Sequence, residues 1–71
     1  MNLTEKEEKV YKAIKEFITT NGYSPSIREL CKLTNLKSPA SVSDYLESLK
    51  DKGYITYIPN KNRTVRMIER W

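Results

Sequence analysis

At Gly53 the hydrophobic period of this chain changes, and that change constrains the fold more than any other feature. Before it, apolar residues recur three and four positions apart. After it, Tyr54-Ile55-Thr56-Tyr57-Ile58 is a β-branched and aromatic run. The first pattern belongs to amphipathic helices, the second to strands. With 71 residues there is room for one domain and a small core. Residues 1–71 are therefore expected to form a single, mainly α domain that ends in a small β element.

Each helical segment carries its own start signal. Thr4-Glu5-Lys6-Glu7 is a capping-box pattern, and the acidic residues Glu5, Glu7 and Glu8 then sit at the positive end of the helix dipole. Val10, Tyr11, Ile14, Phe17 and Ile18 continue it as an apolar stripe, and Glu5–Lys9 and Glu8–Lys12 have the favourable order for ion pairs. Asn21 or Gly22 suits a left-handed exit. Ser26-Ile27-Arg28-Glu29 is a second capping box, opening a helix of about two turns whose apolar side is Ile27, Leu30, Cys31 and Leu33. Ser38-Pro39 starts a third, with serine as cap and proline where a missing amide costs nothing. Its stripe is Val42, Tyr45, Leu46 and Leu49, and Gly53 is expected to cap its end.

Residues 54–58 and 63–68 read as two antiparallel strands around the turn Pro59-Asn60-Lys61-Asn62. Tyr23-Ser24-Pro25 is extended, because a residue before proline avoids the helical region, and could add a short third strand. The second and third helices are short, and a turn of a few residues joins them. This is a helix-turn-helix, and the hairpin makes it a winged one.

Composition removes several classes of function. Histidine is absent and there is one cysteine. A Ser-His-Asp or Cys-His triad, a zinc finger and a disulfide framework are excluded. Cys31 reads as a small core residue. No run of about 18 apolar residues offers a membrane span. The charged, capped N-terminus is unlike a signal peptide, so a cytoplasmic location is expected. No enzyme activity, cofactor, metal or small-molecule ligand is expected.

Thirteen lysines and arginines against nine acidic residues give a net charge of +4. The excess lies mostly in residues 54–71, where Lys61, Arg63, Arg66 and Arg70 face Glu69 alone. Placing the third helix's apolar stripe inward leaves Ala40, Ser41, Ser43, Asp44, Glu47 and Ser48 outward or at its edges. The leading residues are small enough for a major groove about 12 Å wide. The amides of Ala40 and Ser41 suit a phosphate. Arg28, Lys32 and Lys37 are phosphate-clamp candidates, and the wing would lay Lys61, Asn62 and Arg63 along a backbone or minor groove. Asp44 and Glu47 repel phosphate. Either they lie off the interface, or Asp44 accepts from a cytosine amino group.

The chain resembles the N-terminal DNA-binding domain of the LexA repressor family. The resemblance rests on Leu3-Thr4, on Gly22-Tyr23-Ser24-Pro25-Ser26-Ile27-Arg28-Glu29-Leu30, and on Lys37-Ser38-Pro39-Ala40-Ser41-Val42-Ser43-Asp44-Tyr45-Leu46. Leu49, Lys52-Gly53-Tyr54-Ile55 and Pro59-Asn60-Lys61 extend it to about residues 3–68. It implies a winged helix whose groove-reading helix spans residues 38–49, with contacts at Ser38, Ala40, Ser41, Ser43 and Asp44. It places a backbone-contacting arginine at Arg28 and a basic residue before the wing at Lys52. Family members often carry Asn, Glu or His in the reading helix, so Ala40, Ser43 and Asp44 imply an operator other than the standard one. The family continues into a self-cleaving Ser-Lys peptidase domain that also dimerises; that activity is not expected of these 71 residues.

The expected partner is double-stranded DNA, and the expected role is transcriptional regulation. A homodimer, if formed through Trp71 or the hairpin edge, is expected to be weak. The alternative is a winged helix used as a protein-interaction module, a reading that Asp44 and Glu47 keep open and the basic wing disfavours.

Overall fold

Local capping sets the three helices of the computed structural model, which describes residues 3–59, 61 and 63–68. Helix α1 spans Glu5–Asn21. Both arms of its capping box form: the Thr4 amide donates to Glu7 Oε1 at 2.9 Å, and the Glu7 amide donates to Thr4 Oγ1 at 3.2 Å. Gly22 ends it at φ 79°, a conformation that favours glycine, and its amide reaches the Ile18 carbonyl. The predicted Glu8–Lys12 pair is present at 3.1 Å.

Helix α2 spans Ile27–Thr34, with the Ser26/Glu29 box complete and Asn35 as a left-handed cap. Its inward row is Ile27, Leu30 and Thr34, spaced three and four apart, and the Thr34 hydroxyl donates to the Leu30 carbonyl at 2.6 Å. That satisfied hydroxyl lets threonine take the buried position. Leu33, expected on the apolar side, is instead 51% exposed, because it points about a quarter-turn away from this row.

Helix α3 spans Pro39–Asp51, with Ser38 Oγ accepting from the Ser41 amide. The cap at its end is Lys52 and not Gly53. Gly53 stands one position further, at φ 82°. Its amide donates to the Lys50 carbonyl and that of Tyr54 to Leu49, which together make a Schellman motif. This turns the chain sharply into the hairpin.

Strands β1 (Ile55–Thr56) and β2 (Arg66–Met67) are antiparallel, with Ile55 opposite Met67 and Thr56 opposite Arg66. Both are shorter than the sequence pattern suggests. Past Thr56 the ladder gives way to a side chain: the Ile58 amide donates to Thr64 Oγ1 at 2.9 Å. Arg63 then takes a left-handed φ of 59°, which no strand accommodates. The sheet of described residues has two strands. At residues 23–25 there is no third strand, and the Ser24 carbonyl accepts from the Arg63 side chain where a strand partner would have offered an amide.

Every element contributes to one core. Val10 and Ile14 of α1, Leu30 of α2, Val42, Leu46 and Leu49 of α3, Ile55 of β1 and Val65 are buried together. Tyr11, Cys31, Leu36, Tyr45 and Tyr54 pack partly buried around them. Among the described residues, no helix is long and apolar enough to cross a membrane.

Candidate nucleic-acid interface

Helix α3 presents the candidate face because its stripe is fully committed to the core. Val42, Leu46 and Leu49 have no exposed surface. At 3.6 residues per turn, this directs Ala40, Asp44, Glu47 and Asp51 straight outward. All four are exposed. Ser41 and Ser48 flank this row on the side of α1, and Ser43 on the other side; all three are half-buried. Ser41, Asp44 and Ser48 border a shallow hollow of about 390 Å³ with Thr4, Glu7 and Tyr45. Ser38 is half-buried as the cap, and its hydroxyl lies 3.2 Å from that of Ser41. The Ser41 amide is therefore taken by the cap rather than offered to a phosphate.

The predicted cations stand in two different conditions. Arg28 near the start of α2, Lys37 ahead of α3 and Lys61 on the hairpin loop are exposed. Lys32 of α2 is exposed too. Lys52 and Arg63 are already engaged within the chain. Lys52 Nζ lies 2.6 Å from Glu7 Oε1. Arg63 Nη1 lies 2.9 Å from Glu29 Oε1 and 3.1 Å from the Ser24 carbonyl oxygen. Asn62 lies outside the described residues.

Sequence reasoning missed the partners of both. Glu7 serves the cap, as expected, but it is also buried and fixes α3. Its carboxylate accepts from Lys52, from the Ser48 hydroxyl and from the Thr4 amide, and these donors hold its pKa down at about 2. Glu29 is likewise held below the ordinary carboxylate range, first by the Ser26 amide and then by Arg63. Nothing local could have revealed either pair. Glu7 and Lys52 are 45 positions apart, and Glu29 and Arg63 are 34 apart.

The acidic row of α3 also has a partner on the hairpin. The Tyr57 hydroxyl donates to Glu47, and burial together with that bond pushes its pKa above the usual value. Lys50 Nζ stands 5.5 Å from the centroid of the same ring. Tyr57 thus ties the wing's first strand side to the outer edge of α3. Asp51 and Asp44 add to the negative charge around the Tyr57 hydroxyl, and Asp44 also borders the hollow beside Ser41.

The family model for the LexA DNA binding domain matches residues 1–64. The LexA repressor of Moorella thermoacetica is 46% identical over 55 residues, 78% of this chain and 27% of its own length. That of Caldicellulosiruptor saccharolyticus is 40% identical over 67 residues, covering 94% of this chain and 33% of the relative. That of Desulfatibacillum aliphaticivorans is 41% identical over 68 residues, 96% of this chain and 34% of the relative. The chain spans about a third of the length of these curated relatives.

Proposed function

The chain belongs to the LexA DNA-binding domain family, and we propose on that footing that it binds duplex DNA sequence-specifically as a transcriptional repressor. Helix α3 enters the major groove, and the wing lies along the backbone. One observation carries this reading. The outward and flanking positions in the first half of α3 are all short side chains, Ala40, Ser41, Ser43 and Asp44, on a helix whose inward stripe is fully buried. Such a face can approach base edges without a bulky residue holding it away.

In this reading Ser41, Ser43 and Asp44 meet bases, with Ala40 close to the groove floor. Ser38, Arg28, Lys37, Lys61 and Asn62 meet phosphates and set the register. Lys52 is already paired with Glu7, so its first task is to hold α3. Selection of bound duplexes from a random pool, followed by titration of the selected site and its single-base variants, tests the reading. A preferred site with losses of about 1–3 kcal/mol at particular base pairs is the expected result. Equal affinity for every duplex would overturn sequence specificity.

The exposed carboxylates Asp44, Glu47 and Asp51 favour a second reading, a protein-interaction module. That reading predicts no shift of nonspecific duplex even at low salt, where electrostatic attraction is strongest.

A further inference from the structure

Arg63 on the hairpin loop is engaged by two acceptors and a ring. Both protons of its Nη1 have acceptors, the Ser24 carbonyl at 3.1 Å and Glu29 Oε1 at 2.9 Å. Its guanidinium carbon sits 4.9 Å from the centroid of the Tyr23 ring. That ring is braced edge-on by Phe17 at 5.4 Å. The acceptors and the ring all come from the α1–α2 connection and the first turn of α2. The backbone of Arg63 is left-handed, at φ 59°, a region a non-glycine residue holds only when its surroundings require it. The next residue, Thr64, accepts from the Ile58 amide, and its hydroxyl lies within hydrogen-bond distance of the Ile58 and Lys61 carbonyls. The loop is therefore tied internally by Thr64 and tied to α2 by Arg63.

We propose that Arg63 is a positioning residue that sets the wing against the N-terminus of α2, and not itself a phosphate contact. Glu29, to which it is held, is the neighbour of exposed Arg28, and Lys61 rides on the loop it anchors. The clamp thereby keeps the loop that carries Lys61 in a fixed relation to the first turn of α2, which carries Arg28. The pair is partly exposed, with side-chain accessibilities of 45% for Arg63 and 34% for Glu29. Exposed pairs add little to stability. Its substitution should leave the fold intact while freeing the loop, so orientation can be separated from folding.

This inference rests on the DNA-binding reading for its consequence, but the clamp can be tested without DNA. Three variants suffice. Arg63→Lys keeps the charge and loses the planar fork and the stacking. Arg63→Gln loses the charge. Glu29→Gln retains an acceptor for the Ser26 amide and loses the charge that holds Arg63. Nitrogen-15 relaxation of the amides in residues 57–64 of the free protein reports the loop's order. Titration of a nonspecific duplex across a salt series reports its function. Melting temperature serves as the control for folding.

All three variants should raise loop mobility; the two Arg63 variants should do so at unchanged melting temperature and Glu29→Gln with a small drop, because its carboxylate also closes the cap of α2. All three should bind duplex several-fold more weakly, with the wild-type salt slope. Glu29→Gln should weaken binding even though it removes a negative charge. The proposal is overturned if loop order is unchanged in all three. It is also overturned if Arg63→Lys binds like wild type while Arg63→Gln lowers the slope by about 0.9, which would mark a phosphate contact. A gain in affinity from Glu29→Gln would likewise overturn it. Failure of the wild type to bind any duplex would overturn the DNA-binding reading instead, and the relaxation comparison would still decide whether Arg63 orders the wing.

Discussion

The ammonium of Lys52 stands 2.6 Å from Glu7 Oε1, which joins the last turn of α3 to the first turn of α1. The same oxygen accepts from the Thr4 amide, and the Ser48 hydroxyl donates to the other. One carboxylate thus closes a helix cap and pins the helix proposed to read DNA. Glu7 is 5% exposed, so the carboxylate side of this pair is shielded from solvent as those of the surface pairs are not.

Acid should release it. The pKa of Glu7 is lowered from an ordinary 4.5 to about 2. A depressed carboxylate contributes stability that is fully present above the unfolded value and is lost as pH falls through the folded one. Glu7→Gln should therefore melt below wild type at neutral pH. The gap should narrow between about pH 4.5 and pH 2, as wild type loses the same charge. Thermal melts at pH 7, 4 and 2.5 check this, and a gap independent of pH would refute it.

Truncating the inward face of α3 should act on folding before it acts on binding. Leu46 is fully buried among residues of all three helices and the hairpin. Leu46→Ala should cost about 2–5 kcal/mol. Against a total stability of roughly 5 kcal/mol for so small a domain, much of the population would unfold at 37 °C. Urea denaturation should show a lower midpoint with a similar slope, and a midpoint within error of wild type would contradict the core assignment.

How much of this was legible in the sequence depends on the distance between partners. Both capping boxes, the Ser38-Pro39 start and the left-handed exit at Gly22 are written within three or four positions, so local chemistry was enough. The hairpin was legible in kind but not in length. Tyr57, Ile58 and Val65 continue a strand-like pattern, but Thr64 takes the Ile58 amide with its side chain. Leu33 was misjudged because Thr34, a polar residue with an internal acceptor, holds the buried position. The candidate reading face followed from the α3 stripe alone. The engagement of Lys52 and Arg63 did not, because a charge pair closed by tertiary packing leaves no periodic trace in the sequence.

Lys61 should contribute through charge and not through recognition. It is exposed on the wing loop, and its backbone amide closes a turn to the Ile58 carbonyl. Lys61→Ala should leave stability within about 0.5 kcal/mol. It should weaken binding to all duplexes alike and reduce the logarithmic salt slope by about 0.9. Titration of a selected and a scrambled duplex at several salt concentrations measures both quantities. A loss of discrimination at constant slope would make the wing a reader of sequence.

Asp44 gives the sharpest test of the reading helix. It is exposed, one turn from Ala40 on the outward row, and it borders the hollow shared with Ser41. Asp44→Asn preserves size and removes the charge. Two effects should then separate. Loss of a negative charge near phosphates should raise affinity for every duplex. If the carboxylate accepts from a cytosine amino group, preference at one base pair should also relax, by about 1–3 kcal/mol. Stability should barely change, since no core contact is lost. Binding to the selected site and to each single-base variant measures the two effects independently. A uniform rise with preference unchanged at every position would assign Asp44 to the solvated face, and base reading would then fall to Ala40 and Ser41.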